Sequence, residues 1–249
     1  MRPIALLLSA LLLLTAGLGV YFTLSQPDPI TFVPADTPAL ILVNRLPSSL
    51  NFVERTRFAG LVDLDTGELQ ARLNEAFSGI GLEALRDNVS RAWLCIQGLE
   101  AKESGSFRIN FSAVIEPAGF TDSELRTQIE QAVRKAFGEQ KIRVNRQDET
   151  AIFEGPEPGQ LLYTGTREGY LLLANNVAGW RDLELTLSGH HASIANNEVF
   201  QRVTARVNPE MDLFVYVSQE LAPGIIPGFA YGVTIVGEQV TESYAEVEE

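Results

Sequence analysis

The chain has 249 residues, of which 45% are hydrophobic and 20% are charged, and its formal net charge is −13. This apolar content excludes an intrinsically disordered protein, and a single cysteine excludes a disulfide-stapled scaffold. The acidic balance argues against a nucleic-acid partner, because binding phosphate requires a basic surface. One cysteine and two histidines leave few ligands for zinc and few members for a nucleophilic triad.

The first predicted element is an uncharged apolar helix over residues 4–24. Its 21 residues would extend about 31 Å, enough to span the hydrocarbon core of a lipid bilayer. Because Arg2 precedes the helix, residues 26–249 are expected outside the cytoplasm. Segment 1–25 is either a retained membrane anchor or a signal peptide that is cleaved, and both alternatives export the rest of the chain.

The exported part consists of a proline-containing linker at 26–34 and a domain at 35–249. From residue 26 onward the chain has 18 basic and 32 acidic residues, which gives a net charge of −14. A chain of this length can bury a core without disulfides. We therefore expect an exported domain that holds together by packing alone.

The elements of the exported domain follow from its apolar spacing. A continuous apolar run predicts a central strand at 39–43, and apolar residues at three- and four-residue spacing predict helices within 50–89. Strict alternation over 106–115 predicts a strand with one buried face, which favours an antiparallel sheet. A capping box at Thr121 begins a helix that ends at Gly138. The remaining predicted strands are 91–99, 141–145, 150–154, 161–166, 170–174, 213–218, 229–236 and 240–247, and the remaining predicted helices are 177–187 and 196–206.

These elements predict an α+β fold. We expect an extended, mostly antiparallel β-sheet with helices packed on one face, preceded by the transmembrane helix. The order from 39 to 146 matches that of a ferredoxin-like module, although order alone does not fix topology. The strand at 212–217 resembles the strand at 38–43. Either the chain enters a second copy of its module there, or two apolar strands are similar by chance.

Three stretches carry a family resemblance. Residues 33–39 read VPADTPA and lead into an apolar strand, and residues 169–175 read GYLLLAN before a helix. Residues 193–200 read SIANNEVF and lead to the strand within 209–217. In this order they resemble an uncharacterised family of bacterial exported or membrane-anchored proteins with a PADT opener. The resemblance implies a single-pass protein of the bacterial inner membrane with its C-terminal domain in the periplasm or outside the cell. It implies no catalytic residue.

Candidate chemistry is sparse in this sequence. His190 and His191 are adjacent, so their side chains diverge and are a poor pair for one metal ion. The acidic stretch 63–68 resembles the start of a calcium loop but lacks the glutamate that completes one. Cys95 lies in an apolar run and is predicted to be a buried hydrophobe. We therefore predict no catalytic, cofactor-binding or metal-binding residue.

A basic cluster interrupts the acidic chain between residues 126 and 146. It contains Arg126, Arg134, Lys135, Lys141, Arg143 and Arg146. One interpretation is a surface for an anionic partner or for an acidic face of the same chain. The other is a solvated helix face followed by an edge strand that charge protects from aggregation.

An unusually apolar stretch at 222–229, APGIIPGF, is the candidate interaction loop. If it is exposed, Ile225, Ile226 and Phe229 would contact lipid, a hydrophobic ligand or a partner chain. If it is buried, the same residues would cover the end of the sheet.

The sequence leaves three functions open. The first is a non-catalytic envelope protein whose sheet or apolar loop binds a partner protein. The second is a periplasmic carrier or binder of a hydrophobic small molecule, held between helices and sheet. The third is an enzyme of unknown type. A filled core favours the first function, whereas a deep pocket favours the others.

Overall fold

A computed structural model describes residues 28–44, 89–101, 107–117, 143–147, 150–155, 160–221, 228–237 and 239–247, with single positions between 124 and 134. The predicted membrane helix at 4–24 lies outside these residues, and so do the predicted helices within 50–89 apart from Val89, which begins a strand. Among the helices that are described, none is long and apolar enough to cross a bilayer.

Ten strands form one sheet, and every pair of neighbours in it is antiparallel. The strands are β1 Ala39–Val43, β2 Val89–Ala101, β3 Phe107–Pro117, β4 Arg143–Gln147, β5 Thr150–Glu154, β6 Leu161–Arg167, β7 Tyr170–Ala174, β8 Leu213–Val217, β9 Phe229–Val236 and β10 Gln239–Glu246. Their order from edge to edge is β10-β9-β8-β1-β2-β3-β7-β6-β5-β4. The predicted antiparallel sheet is confirmed.

Strand β1 lies inside the sheet, as its continuous apolar run predicted. Ala39 stands opposite Ile96 of β2 on one side and opposite Val217 of β8 on the other. The ferredoxin-like topology that the element order allowed is not adopted. A βαβ crossover joins parallel strands, whereas β1 and β2 are antiparallel neighbours.

The strands on the two sides of the β1–β8 pair follow each other in chain order as one moves outward. Outward on one side come β2 and β3, and outward on the other come β9 and β10. The strands whose sequences are similar, within 38–43 and 212–217, are therefore the two central neighbours β1 and β8. Beyond β3 the sheet continues through β7, whereas β10 is an edge.

Two α-helices are described, α1 Val177–Leu187 and α2 Glu198–Thr204. The bounds of α1 match the prediction, and α2 is shorter than predicted. Each begins at an asparagine cap. The side-chain oxygen of Asn176 accepts the amide of Gly179 at 2.8 Å, and that of Asn197 accepts the amide of Val199 at 2.9 Å. Short 3-10 helices lie at Pro29–Phe32, Ile194–Asn196 and Gln219–Leu221.

Both helices pack on one side of the sheet, which we call the helix face. Trp180 of α1 and Phe200 of α2 belong to one buried cluster with alternate residues of the central strands. These strand residues include Leu40, Leu42, Trp93, Cys95, Val114, Leu172, Phe214 and Tyr216. Since Leu40, Leu172 and Phe214 are each 0% exposed, the helix face is a filled core.

The opposite side, the reverse face, is apolar as well. Ala39, Val215 and Tyr231 form one buried cluster there. Towards β4, Val133 packs with Phe153 and Leu171, and the described positions from 124 to 134 are helical. The prediction of helices on one face therefore holds for α1 and α2 but is wrong for this segment, which contacts the reverse face.

Two of the stretches that carry the family resemblance lie side by side. The amide of Ala35 donates to the carbonyl of Ala192 at 2.9 Å, and the amide of Ile194 donates to the carbonyl of Val33 at 2.8 Å. The side-chain amide of Asn197 also donates to the carbonyl of Ala35 at 3.1 Å. The PADT opener and the SIANNEVF stretch therefore form one structural unit over the helix face.

Asn197 is expected to stabilise this unit measurably. Replacing it in Asn197→Ala removes the α2 cap and the donor to Ala35, so the free energy of unfolding should fall by about 1–3 kcal/mol in urea titrations. Asn197→Asp keeps the cap oxygen and loses only the donor, so it should cost less. Asn196→Ala changes an exposed neighbour and should shift the free energy by less than about 0.5 kcal/mol. Equal losses at positions 196 and 197 would contradict this assignment.

Candidate functional site

The cleft that the described residues form lies on the helix face, where β1 and β2 meet α2. Its volume is about 190 Å³. Leu42, Trp93 and Phe200 supply apolar walls, and Arg91 and Glu210 lie among its polar lining residues. Pockets for drug-sized ligands usually measure about 300–1,000 Å³. The cleft is thus small for a lipid or a cofactor.

Arg91 is the cationic group of the cleft. Its Cζ lies 5.3 Å from the centre of the Trp93 ring, and its Nε donates to Oε2 of Glu116 at 2.5 Å. Burial alone would lower the pKa of Arg91, but the hydrogen bond and charge of Glu116, with the charge of Glu210, raise it. Two carboxylates therefore compensate the guanidinium, which weakens its attraction for an anionic ligand.

Groups suited to acid–base or nucleophilic chemistry are not assembled among the described residues of this cleft. Burial, followed by the charge of Glu116, raises the pKa of Tyr170, so its phenol stays protonated at neutral pH. Cys95 is 0% exposed, and burial raises the pKa of its thiol to about 12. Within the described part of the chain, no three ligating side chains converge on a possible metal position.

The two histidines lie beyond the end of α1. Both are exposed. Nδ1 of His190 lies 2.8 Å from Oγ of Ser188, and Nδ1 of His191 lies 3.9 Å from Oδ1 of Asp182. They have separate neighbours, as expected for adjacent residues with diverging side chains.

The structure separates the three residues of the candidate interaction loop. Ile225 and Ile226 lie outside the described residues. Phe229 begins β9, is 5% exposed, and stacks on Tyr244 with ring centres 6.4 Å apart. Phe229 therefore contributes to the sheet, which leaves the two isoleucines as the loop's candidates for contact.

The basic cluster leads into one edge of the sheet. Arg143 and Arg146 lie on β4, the terminal strand, so the predicted edge strand is confirmed. Nη2 of Arg146 donates to Oε2 of Glu130 at 2.6 Å, and Nη2 of Arg134 donates to Oε1 at 2.7 Å. The hydrogen bond from Arg134 and the charge of Arg146 lower the pKa of Glu130. This acidic partner on the same chain is one of the interpretations that the sequence left open.

The opposite edge of the sheet is strand β10. It has eight residues, carries Glu242 and Glu246, and exposes 47% of Tyr244. The sequence predicted a strand at 240–247 but not that it would be an edge. Its two glutamates lie four positions apart and so share one face, a pattern that does not distinguish an edge strand from an internal one.

No protein-family model, curated protein or solved structure matches this chain. The resemblance to a PADT family therefore stays a prediction that rests on the residues quoted for it. Within the described residues, the features that bear on function are the filled core, the small cleft and the two edges of the sheet.

Proposed function

We propose that this chain is a non-catalytic interaction protein of the bacterial envelope that binds a partner protein along the outer edge of β10. The observation that carries the proposal is the length of this edge. Its eight residues pair with β9 in one continuous register, and within the described residues no strand pairs with its outer side. An edge strand presents a row of backbone donors and acceptors to which another strand can add.

The two edges of the sheet differ in how they resist unwanted pairing. Proteins protect edges with short strands, charged side chains (lysine above all), prolines or bulges. Strand β4 has five residues, two of them arginine. Strand β10 carries two glutamates and, like β4, has neither a proline nor a shift of register, but it is longer, with eight residues. This contrast supports β10, rather than β4, as the edge that receives a partner.

The carrier of a hydrophobic small molecule is the second candidate, and its support is weaker. The apolar side chains of the helix face pack against α1 and α2 and leave a cleft of about 190 Å³ with a polar rim. Native mass spectrometry of protein purified from its host tests this function. A lipid that co-purifies in stoichiometric amount would favour the carrier, and ligand-free protein would count against it.

The location is proposed on sequence alone. Residues 4–24 would hold the chain in the inner membrane, with the lipid bilayer as their partner and the sheet in the periplasm or outside the cell. An edge strand exposed in that compartment would meet other envelope proteins. An enzyme is the third candidate, and no pairing of nucleophile and base among the described residues of the cleft supports it.

Site-specific photo-crosslinking in intact cells tests the β10 proposal. A photoreactive amino acid at exposed Thr241 on β10 is expected to give a discrete adduct, whose protein is then identified by mass spectrometry. The same amino acid at exposed Arg181 on α1 is the matched control and should give none. Equal labelling at both positions, or no adduct at Thr241, would contradict the proposal.

A further inference from the structure

We propose that the partner on β10 is a second copy of this chain, whose β4 edge adds to β10 and continues the sheet head to tail. This inference rests on the proposed function of β10 as a binding edge. Three independent features of the two edges support it: strand direction, face and charge.

Strand direction follows from the number of strands. The described residues form ten strands, and each is antiparallel to its neighbours, so the two terminal strands of this described sheet, β10 and β4, run in opposite directions. When a second copy extends the sheet in the same orientation, its β4 therefore runs antiparallel to β10. The junction therefore has the same antiparallel pairing as all neighbouring strands within the sheet, and the second molecule does not have to be reversed.

The charged side chains of the two edges lie on the same face. Arg146 is opposite Ala151, which packs in the reverse-face cluster around Phe153. Glu242 is opposite Val233, which packs in the reverse-face cluster around Tyr231. Directly opposed residues in an antiparallel pair point to the same face, so Arg146 and Glu242 can meet across the junction.

Placing Arg146 opposite Glu242 determines the other residue pairs of the junction. Asn145 then faces Ser243, Val144 faces Tyr244, and Arg143 faces Ala245. Asn145 and Ser243 are both polar and Val144 and Tyr244 are both apolar, whereas Arg143 faces the apolar Ala245. No two like charges stand opposite each other. The side chain of Arg146 donates to Glu130 of its own chain and is still 67% exposed, and Tyr244 is 47% exposed, so a second copy can reach both. Opposite charges and aromatic–aliphatic pairs stabilise antiparallel strands.

The alternatives in which like edges meet are disfavoured. Pairing β10 with β10 brings the carboxylates of Glu242 and Glu246 in one copy towards those of the other. Pairing β4 with β4 does the same with Arg143 and Arg146. Like charges opposite one another destabilise a strand pair, so charge selects the heterologous junction. Such a junction builds open rows, or rings if the rotation closes.

Charge reversal tests the junction. For the full-length chain in mild detergent, sedimentation velocity should show concentration-dependent oligomers larger than a dimer. Arg146→Glu and Glu242→Arg, each alone, are expected to weaken association at least about tenfold, because opposed charges become like charges. An equimolar mixture of the two variants should associate again in alternation. Arg143→Glu, on the same strand but pointing to the helix face, is the matched control and should weaken association much less.

A disulfide test checks the register independently of charge. Asn145→Cys combined with Ser243→Cys in one chain should give a ladder of covalent multimers on mild oxidation. Combining Asn145→Cys with Gln239→Cys moves one thiol four residues along the same face, roughly 13 Å, and should give no ladder. The native Cys95 is buried and should not contribute.

The outcomes separate this inference from the proposed function. Monomeric wild-type chain with no ladder would overturn head-to-tail pairing. If the Thr241 adduct then contained a different protein, β10 would still be a binding edge with another occupant. If Thr241 gave no adduct, the proposed function would fail as well. A Thr241 adduct between two copies that forms to the same extent in both charge variants as in the wild type would contradict the proposed register.

Discussion

The native protein is expected to react with iodoacetamide at pH 8 about 1000-fold more slowly than the chain unfolded in urea. Cys95 is the only cysteine, so the reaction reports one thiol. It is 0% exposed, and burial raises its pKa from an ordinary value of 9.0 to about 12. Because thiolate is the reactive form, a pKa raised this far lowers the reactive fraction roughly 1000-fold. Rapid alkylation of native protein would contradict the packing of β2.

The same burial makes stability depend on pH. The pKa of Cys95 in the folded protein lies above its value in the unfolded chain. The contribution of the buried neutral thiol to the free energy of unfolding is therefore complete below about pH 9 and is lost as the pH rises towards about 12. The wild-type free energy of unfolding should therefore fall relative to Cys95→Ala across this range. The slope of the difference should approach about 1.4 kcal/mol per pH unit. Urea titrations of both proteins at several pH values measure it, and a pH-independent difference would contradict the raised pKa.

Phe214→Ala is expected to lower the free energy of unfolding by about 3–5 kcal/mol. Phe214 is 0% exposed and lies on β8, between β1 and β9. Its ring contacts that of Phe200 on α2 edge to face, with centres 6.1 Å apart. Truncation removes buried apolar area and leaves a cavity between the sheet and the helix. Urea-induced unfolding followed by circular dichroism measures the loss.

Two further substitutions control for the Phe214 result. Phe214→Leu retains most of the volume and should cost less than half as much as alanine. Val236→Ala removes a side chain that is 66% exposed at the end of β9, so it should change the free energy by less than about 0.5 kcal/mol. Equal effects at positions 214 and 236 would mean that the helix face is not a tightly packed core.

Sequence reasoning succeeded where local chemistry determines structure. The strands predicted at 161–166 and 170–174 correspond to β6 and β7, and the turn between them is formed by Glu168 and Gly169, both with positive φ, 52° and 82°. The start of α1 follows Asn176, whose side chain caps the first turn. Such signals lie within a few residues of the element that they define, so the sequence displays them directly.

The features that the sequence did not predict depend on contacts between residues far apart in the chain. The helical segment at 124–134 has an apolar stripe that would fit either side of the sheet, so its place on the reverse face was not visible. Phe229 was assigned both to the apolar loop at 222–229 and to the predicted strand at 229–236, and its pairing with Val217 as the first residue of β9 bears out the strand. Periodicity shows which residues face inward but does not show which strands are neighbours. The edge at β4 was anticipated from its charge, whereas the β10 edge became visible only with the strand order.

The position of β1 has a consequence for the order of events during synthesis. Its neighbour β8 follows it by about 170 residues, and ribosomes add roughly 5–20 residues per second. For about 10–30 s, therefore, an apolar strand exists whose second neighbour has not yet been made. A nascent chain in this state is a natural substrate for a chaperone. The interval ends when residues 213–217 emerge and complete the middle of the sheet.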